Sequence, residues 1–143
     1  MKQRFDLLVL MLAAMVLISC ASGKISENYN PLHRQWMLKQ MPGFGYQQLL
    51  EAKAAIDLSD VKHPEGFAGC NNILFKVITK SGGRIEFSNI SATKKYCADN
   101  MNLENSFLKM LTQIKFYKIE GHKITFLSKE GEMLAEAIAA DWD

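Results

Sequence analysis

The stretch NILFKVITKSGGRIEFSNI, residues 72–90, decides the fold. Its first half is β-branched and aromatic, the composition that suits a pleated, half-buried surface. In its second half Ile85 and Phe87 alternate with Arg84, Glu86 and Ser88, the period of a strand with one buried face. Between the halves stand Lys80, Ser81, Gly82 and Gly83. Glycine accepts positive φ without cost, so the stretch reads as a hairpin.

Outward from this hairpin the same device recurs. KFYKIEGHKITFLSKEGEMLAEAI, residues 115–138, turns twice, at Glu120-Gly121 and at Glu130-Gly131. Ile124 and Phe126 share one face; Lys123 and Thr125 share the other. QWMLKQM, residues 35–41, is a candidate first strand. GFGYQQLLEAKAAIDLS, residues 43–59, is ambiguous: Gln47 to Ala55 suits a helix, while Ala55 to Ser59 can alternate as a strand. One helix interrupts the series. Leu103, Phe107, Leu111 and Ile114 recur at spacings of four, four and three, and Leu108 widens the stripe. Asn100 or Asn102 can cap it, and Glu104 suits the positive end of the helix dipole. Six or seven short strands joined by tight turns imply antiparallel pairing. The expected fold is mainly β (α+β): a small antiparallel β-barrel or strongly curved sheet with one helix packed across it, which hides the strand edges.

The amino-terminal part carries a different signal. Lys2 and Arg4 precede twelve apolar residues without a charge, Leu7 to Ile18. A membrane-spanning helix needs about 20 such residues; a secretory signal peptide needs fewer. The alternative, a buried helix, would show a polar face somewhere in the run, and none exists. The run ends in Leu17-Ile18-Ser19-Cys20, which resembles the bacterial lipobox. That resemblance implies cleavage after residue 19, attachment of diacylglycerol to Cys20 and acylation of the new amino terminus. Two or more chains give stable anchoring, at about 0.8 kcal/mol per buried methylene. The expected organisation is residues 1–19 as lipoprotein signal peptide, 20–34 as lipidated cysteine and flexible tether, and 35–143 as the domain. Ala21, rather than aspartate, follows the cysteine; by analogy with enteric sorting this favours the outer membrane, facing the periplasm. Loss of residues 1–19 removes Lys2, Arg4 and Asp6 and brings the formal charge from +2 to +1. So balanced a chain gives no support for nucleic-acid binding.

Of three cysteines, two remain beside Cys20: Cys70 and Cys97. In an oxidising compartment such a pair is expected to be bonded. It would enclose 26 residues and stabilise by roughly 3–4 kcal/mol in the chain-entropy view. Two buried free thiols are the other reading.

The segments GFAGCNNILFKV and FSNISATKKYC resemble a known family, the META domain of the HslJ-type heat-inducible lipoproteins. The ordered features are Trp36, then Gly69-Cys70-Asn71, Phe75, Ile90, Thr93 and Cys97, then Glu104 with Phe107-Leu108, and the hairpin through Gly121. They span residues 36–138. One feature departs: family members often carry a glycine soon after the Gly-Cys-Asn turn, where this chain runs on as Asn72-Ile73-Leu74-Phe75. The resemblance implies a small barrel of lipocalin-like topology with a helix across it, and an envelope protein associated with heat induction and novobiocin tolerance. It implies no enzyme.

The residues themselves point the same way. No GxSxG elbow or HExxH is present. His33, His63 and His122 have no metal-ligand spacing. Thus neither catalytic residues, metal nor cofactor are expected. Asn71 and Asn72 are candidates for recognition, with an ordinary turn role as the alternative. Lys94, Lys95 and Tyr96 form a basic-aromatic cluster that could meet an acidic partner or anionic head groups, or be a solvated loop. The expected activity is binding: the membrane through Cys20, and an envelope protein or envelope component. Two alternatives are a lipid or small-molecule carrier using the barrel interior, which would need an apolar cavity of about 300 Å³ or more, and an inhibitor of a secreted hydrolase using a protruding loop at residues 41–48.

Overall fold

The computed structural model describes residues 29–142. The expected signal peptide, Cys20 and most of the expected tether lie outside the described residues.

Eight strands follow one another: β1 (Gln35–Gln40), β2 (Ala55–Asp57), β3 (Glu65–Phe67), β4 (Asn72–Lys80), β5 (Arg84–Ala92), β6 (Phe116–Glu120), β7 (Lys123–Leu127) and β8 (Met133–Ala139). Each pairs antiparallel with its neighbour in sequence, and β1 pairs with β8. The sheet closes into a ring, as expected, though not a regular barrel. Two helices are inserted: α1 (Tyr46–Glu51) between β1 and β2, and α2 (Met101–Gln113) between β5 and β6.

The three sequence-predicted hairpins are β4–β5, β6–β7 and β7–β8. Lys80 pairs with Arg84, Glu120 with Lys123, and Leu127 with Met133. The ambiguous stretch is both things in turn, α1 and then β2. The eighth strand, β3, was not expected. It is three residues long, and Gly66 at its centre hides the alternation. That glycine has a packing reason: a Cβ there would lie 2.9 Å from Phe107 Cε1 and 3.3 Å from Phe75 Cε1.

The ring interior is solid. Phe75 meets Phe87 edge-on at 5.1 Å between centroids, and Phe87 meets Phe126 the same way at 6.2 Å, the arrangement aromatic quadrupoles favour. Trp36, Ile73, Ile85, Ile124, Ala135 and Ala137 join them in one buried cluster. Helix α2 packs chiefly on β5 and β8. It contributes Leu103, Phe107 and Leu111 as expected, with Ile114 just past its end and Met110 in addition; Leu108 is only half-buried. Asn100 stands at the N-cap position but does not cap. Its Nδ2 instead donates to Gly69 O at 3.1 Å, tying the helix to the β3–β4 connection.

The packed body takes in residues ahead of the expected boundary at 35. Leu32 is buried, and the fully buried indole of Trp36 donates from Nε1 to Leu32 O at 3.0 Å. Beside them Arg34 donates to Asp141 Oδ2, near the end of the chain, through Nη2 at 2.8 Å and Nε at 3.2 Å. This pair holds the Asp141 carboxyl below the usual aspartate range.

Candidate functional site

The predicted recognition residues converge on one corner, where the β3–β4 connection, the end of β5 and the start of α2 meet. Cys70 and Cys97 are joined there, with Cα atoms 5.9 Å apart. Asn71 lies beneath the disulfide, 2% exposed, and both polar atoms of its side chain and its backbone N are occupied. Its backbone N donates to Glu104 Oε2 at 2.8 Å, and its Nδ2 to Glu104 Oε1 at 2.9 Å and Lys95 O at 3.1 Å. Its Oδ1 accepts from Thr93 Oγ1 and Lys95 N, both at 2.7 Å. A side chain so consumed is a fastener: it fixes residues 93–95 against the helix and has no group left for a partner.

Glu104 is the residue whose role the sequence reading missed. It was expected to serve the helix dipole; it is buried, 3% exposed, and its two oxygens receive both donors of Asn71. A signal existed. Glu104, Leu108 and Leu111 recur at spacings of four and three, so a carboxylate stands in the apolar stripe. Burying it is tolerable because charge-assisted hydrogen bonds replace those of water.

The other candidates are arranged around this fastener. Lys94, Lys95 and Tyr96 are exposed, Tyr96 at 84%. Their backbone is held on one side by Asn71 and on the other by Cys97. Asn72 opens β4; its carbonyl accepts from Thr93 N at 3.1 Å, and its side chain faces outward with Glu65 and Lys53 around a shallow cleft. The structure therefore presents a braced basic-aromatic loop and, on the sheet beside it, Asn72.

The histidines stand apart. His33 Nε2 lies 3.1 Å from Asn30 Nδ2, and His63 Nδ1 lies 2.9 Å from Asp60 Oδ2. His122 stacks on Trp142 at 3.7 Å, with Arg34 Nη2 3.3 Å from its Nδ1. Among the described residues no three His, Cys, Asp or Glu side chains gather as a metal site would require. None of the described helices is long and apolar enough to cross a membrane.

Residues 41–48 fold back on the body. Met41 is buried, Phe44 N donates to Met41 O at 3.1 Å, and Gly45 N donates to Gln48 Oε1 at 3.0 Å as α1 begins. A cleft of about 350 Å³ lies at the end of the ring where the chain enters, lined by Leu32, Leu58, Val61, Pro64, Val77 and Thr79, with the polar Asn30 and His33 beside them.

Comparison with known proteins agrees with this geometry. A search of proteins of curated function returns no match. Two solved structures share the fold. One, an NMR structure of a protein from Burkholderia xenovorans, has 18% identity over 78% of this chain and 90% of its own, with a TM-score of 0.55. Another NMR structure has 17% identity over 77% of this chain and 95% of its own, with a TM-score of 0.56. A family model described as META domain matches residues 30–141, which takes in Leu32, the Cys70–Asn71–Glu104 corner and Asp141. The chain belongs to the META domain family, a family not known to be catalytic.

Proposed function

We propose that this META-domain chain is a non-catalytic, lipid-anchored protein of the bacterial envelope. Cys20 holds it in the outer membrane, facing the periplasm, and its outer surface binds an envelope protein or component. Through that binding it supports envelope integrity under heat or novobiocin-type antibiotic stress. The observation that carries the reading is the solid interior. With Phe75, Phe87, Phe107 and Phe126 packed inside the ring, recognition falls to the outer surface, where Asn71 and Cys97 brace the Lys94–Tyr96 loop. The lipobox-like end of the apolar run supplies the anchor.

Fractionation of cells tests the anchor. The membrane-bound protein should have the intact mass of a chain beginning at a triacylated Cys20. Cys20→Ser should leave the membrane or remain unprocessed. A processed Cys20→Ser chain that still fractionates with membranes contradicts the reading. For the surface, Lys94→Gln/Lys95→Gln/Tyr96→Ala should lose novobiocin tolerance while keeping its melting temperature; unchanged tolerance contradicts it.

One observation favours the carrier reading in a modified form. The apolar cleft at the ring end has the volume of a small-ligand site, but it lies outside the aromatic core. Val77→Trp, which fills that cleft, should abolish ligand uptake if the cleft is the site.

A further inference from the structure

A second surface of the domain carries a concentration of like charge. The ring is least well joined between β5 and β6, where a single register pair, Arg84 with Phe116, is present. Two backbone bonds flank it, Ile85 N to Lys115 O at 3.0 Å and Tyr117 N to Gly83 O at 2.8 Å. Gly83 is required there: its φ is +68°, and a Cβ would lie 2.6 Å from Tyr117 O. Beside this seam a cleft of about 230 Å³ is lined by Lys80, Arg84, Lys115 and Lys129. They come from β4, β5 and two separate loops. Among the described residues none of the four is ion-paired. Glu86 is the one carboxylate in the lining.

The cleft is also apolar at its edge. Ile78, half exposed on the outer face of β4, and Phe116 lie among the cations. Positive charge around exposed hydrocarbon suits an anionic amphiphile better than a simple ion. The path of the chain adds a second argument. Asn30 and Leu32 lie beside Val77 and Thr79, and Ile78 and Lys80 on the same strand end line the cationic cleft. Tyr29 lies nine positions after Cys20, a reach of at most about 30 Å. An anchor at Cys20 therefore keeps the chain entry at this end of the ring within about 30 Å of the bilayer.

We propose that the cleft seats the phosphate of an anionic phospholipid of the membrane leaflet that holds the anchor, with Ile78 and Phe116 against the start of its acyl chains. The cleft orients the domain on the membrane and leaves the Lys94–Tyr96 corner free for a partner. The source of the lipid rests on the anchored reading above; the chemistry of the cleft does not.

The test is a titration of the full chain in neutral sugar detergent, followed by amide NMR shifts, with dihexanoyl-phosphatidylglycerol as probe. Saturable shifts are expected at Ile78, Arg84, Lys115 and Phe116. Dihexanoyl-phosphatidylcholine and inorganic phosphate should shift the same amides far more weakly. Arg84→Gln/Lys115→Gln should lose about fivefold in affinity per cation removed, with an unchanged melting temperature. Phosphate binding as tightly as the lipid overturns the lipid as ligand. Shifts confined to Lys94–Tyr96, or equal affinity in the variant, overturn the site. Repetition with Cys20→Ser separates the two readings: unchanged shifts with an unacylated wild-type chain would remove the anchor and keep the cleft, whereas an acylated wild type without cleft shifts would remove the cleft and keep the anchor.

Discussion

The two ends of β5 are held in opposite ways. Near Ala92 the strand runs into a corner closed by the Cys70–Cys97 bond, by five hydrogen bonds that Asn71 makes with Glu104, Thr93 and Lys95 and by the packing of α2. Near Arg84 it meets β6 through one register pair and two flanking backbone bonds, with four cations outside that form no ion pair among the described residues. The contrast sets a corner fixed by buried polar bonds, which carries the proposed partner surface, against a loosely joined seam, which carries the proposed lipid cleft. A buried polar cluster is stabilising only when complete, so it specifies one geometry. A short strand contact loses little when solvent chemistry around it changes, so charge can gather there without endangering the fold.

The largest expected effect lies at the helix-covered end. Phe107→Ala empties a fully buried aromatic site and should cost about 3–5 kcal/mol in urea unfolding. Added envelope lipid should not restore the loss; little destabilisation together with a lipid-dependent rise in melting temperature would mean that the helix is a lid and the ring hollow. Replacing both Cys70 and Cys97 by alanine should cost about 3–4 kcal/mol, read as a lower urea midpoint. Glu104→Gln keeps the size but replaces one acceptor by an NH₂ group facing the donors of Asn71. One buried donor is then left unmatched, at about 1–3 kcal/mol, whereas a change below about 0.5 kcal/mol would show that the carboxylate is no fastener. At the seam, Arg84→Gln should stay within about 0.5 kcal/mol of wild type, as surface changes do; a larger loss would make the seam structural.

The smallest effect is a pH dependence. Asp141 has its folded pKa lowered, chiefly by its hydrogen bond from Arg34. Its contribution is therefore complete above the unfolded pKa, about 4, and is lost as pH falls through the lower folded value. Arg34→Gln should remove that contribution, so wild type and variant converge in stability as the solution is acidified below about pH 4. Parallel acid limbs would show that the pair contributes nothing.

The same division explains what the sequence made legible. Hairpins announce themselves locally: Gly82-Gly83, Gly121 and Gly131 punctuate alternating runs, and all three turns stand where they were expected. The apolar stripe of α2 was legible for the same reason. What was not legible depends on contacts distant in sequence. β3 is too short to show a period, and Gly66 becomes meaningful only once Phe107, 41 positions away, is seen against it. Asn71 reads as a turn residue because its partner Glu104 lies on another element, and Asn100 reads as a cap although its side chain is used on Gly69. The four cations of the seam are scattered singly from Lys80 to Lys129 and form no run; only ring closure assembles them. The basic-aromatic run Lys94–Tyr96 was visible at once, yet the bonds that brace it come from Asn71 and Cys97.

Native-state hydrogen exchange on the full chain in neutral detergent tests this division most directly. The account predicts that the amides of Asn71 and Thr93, donating to Glu104 and Asn72, exchange only through global unfolding. The amides of Ile85 and Tyr117, which stitch β5 to β6, should exchange through a local opening of lower free energy. Equal protection at both ends, or earlier exchange at Asn71 and Thr93 than at Ile85 and Tyr117, would contradict it.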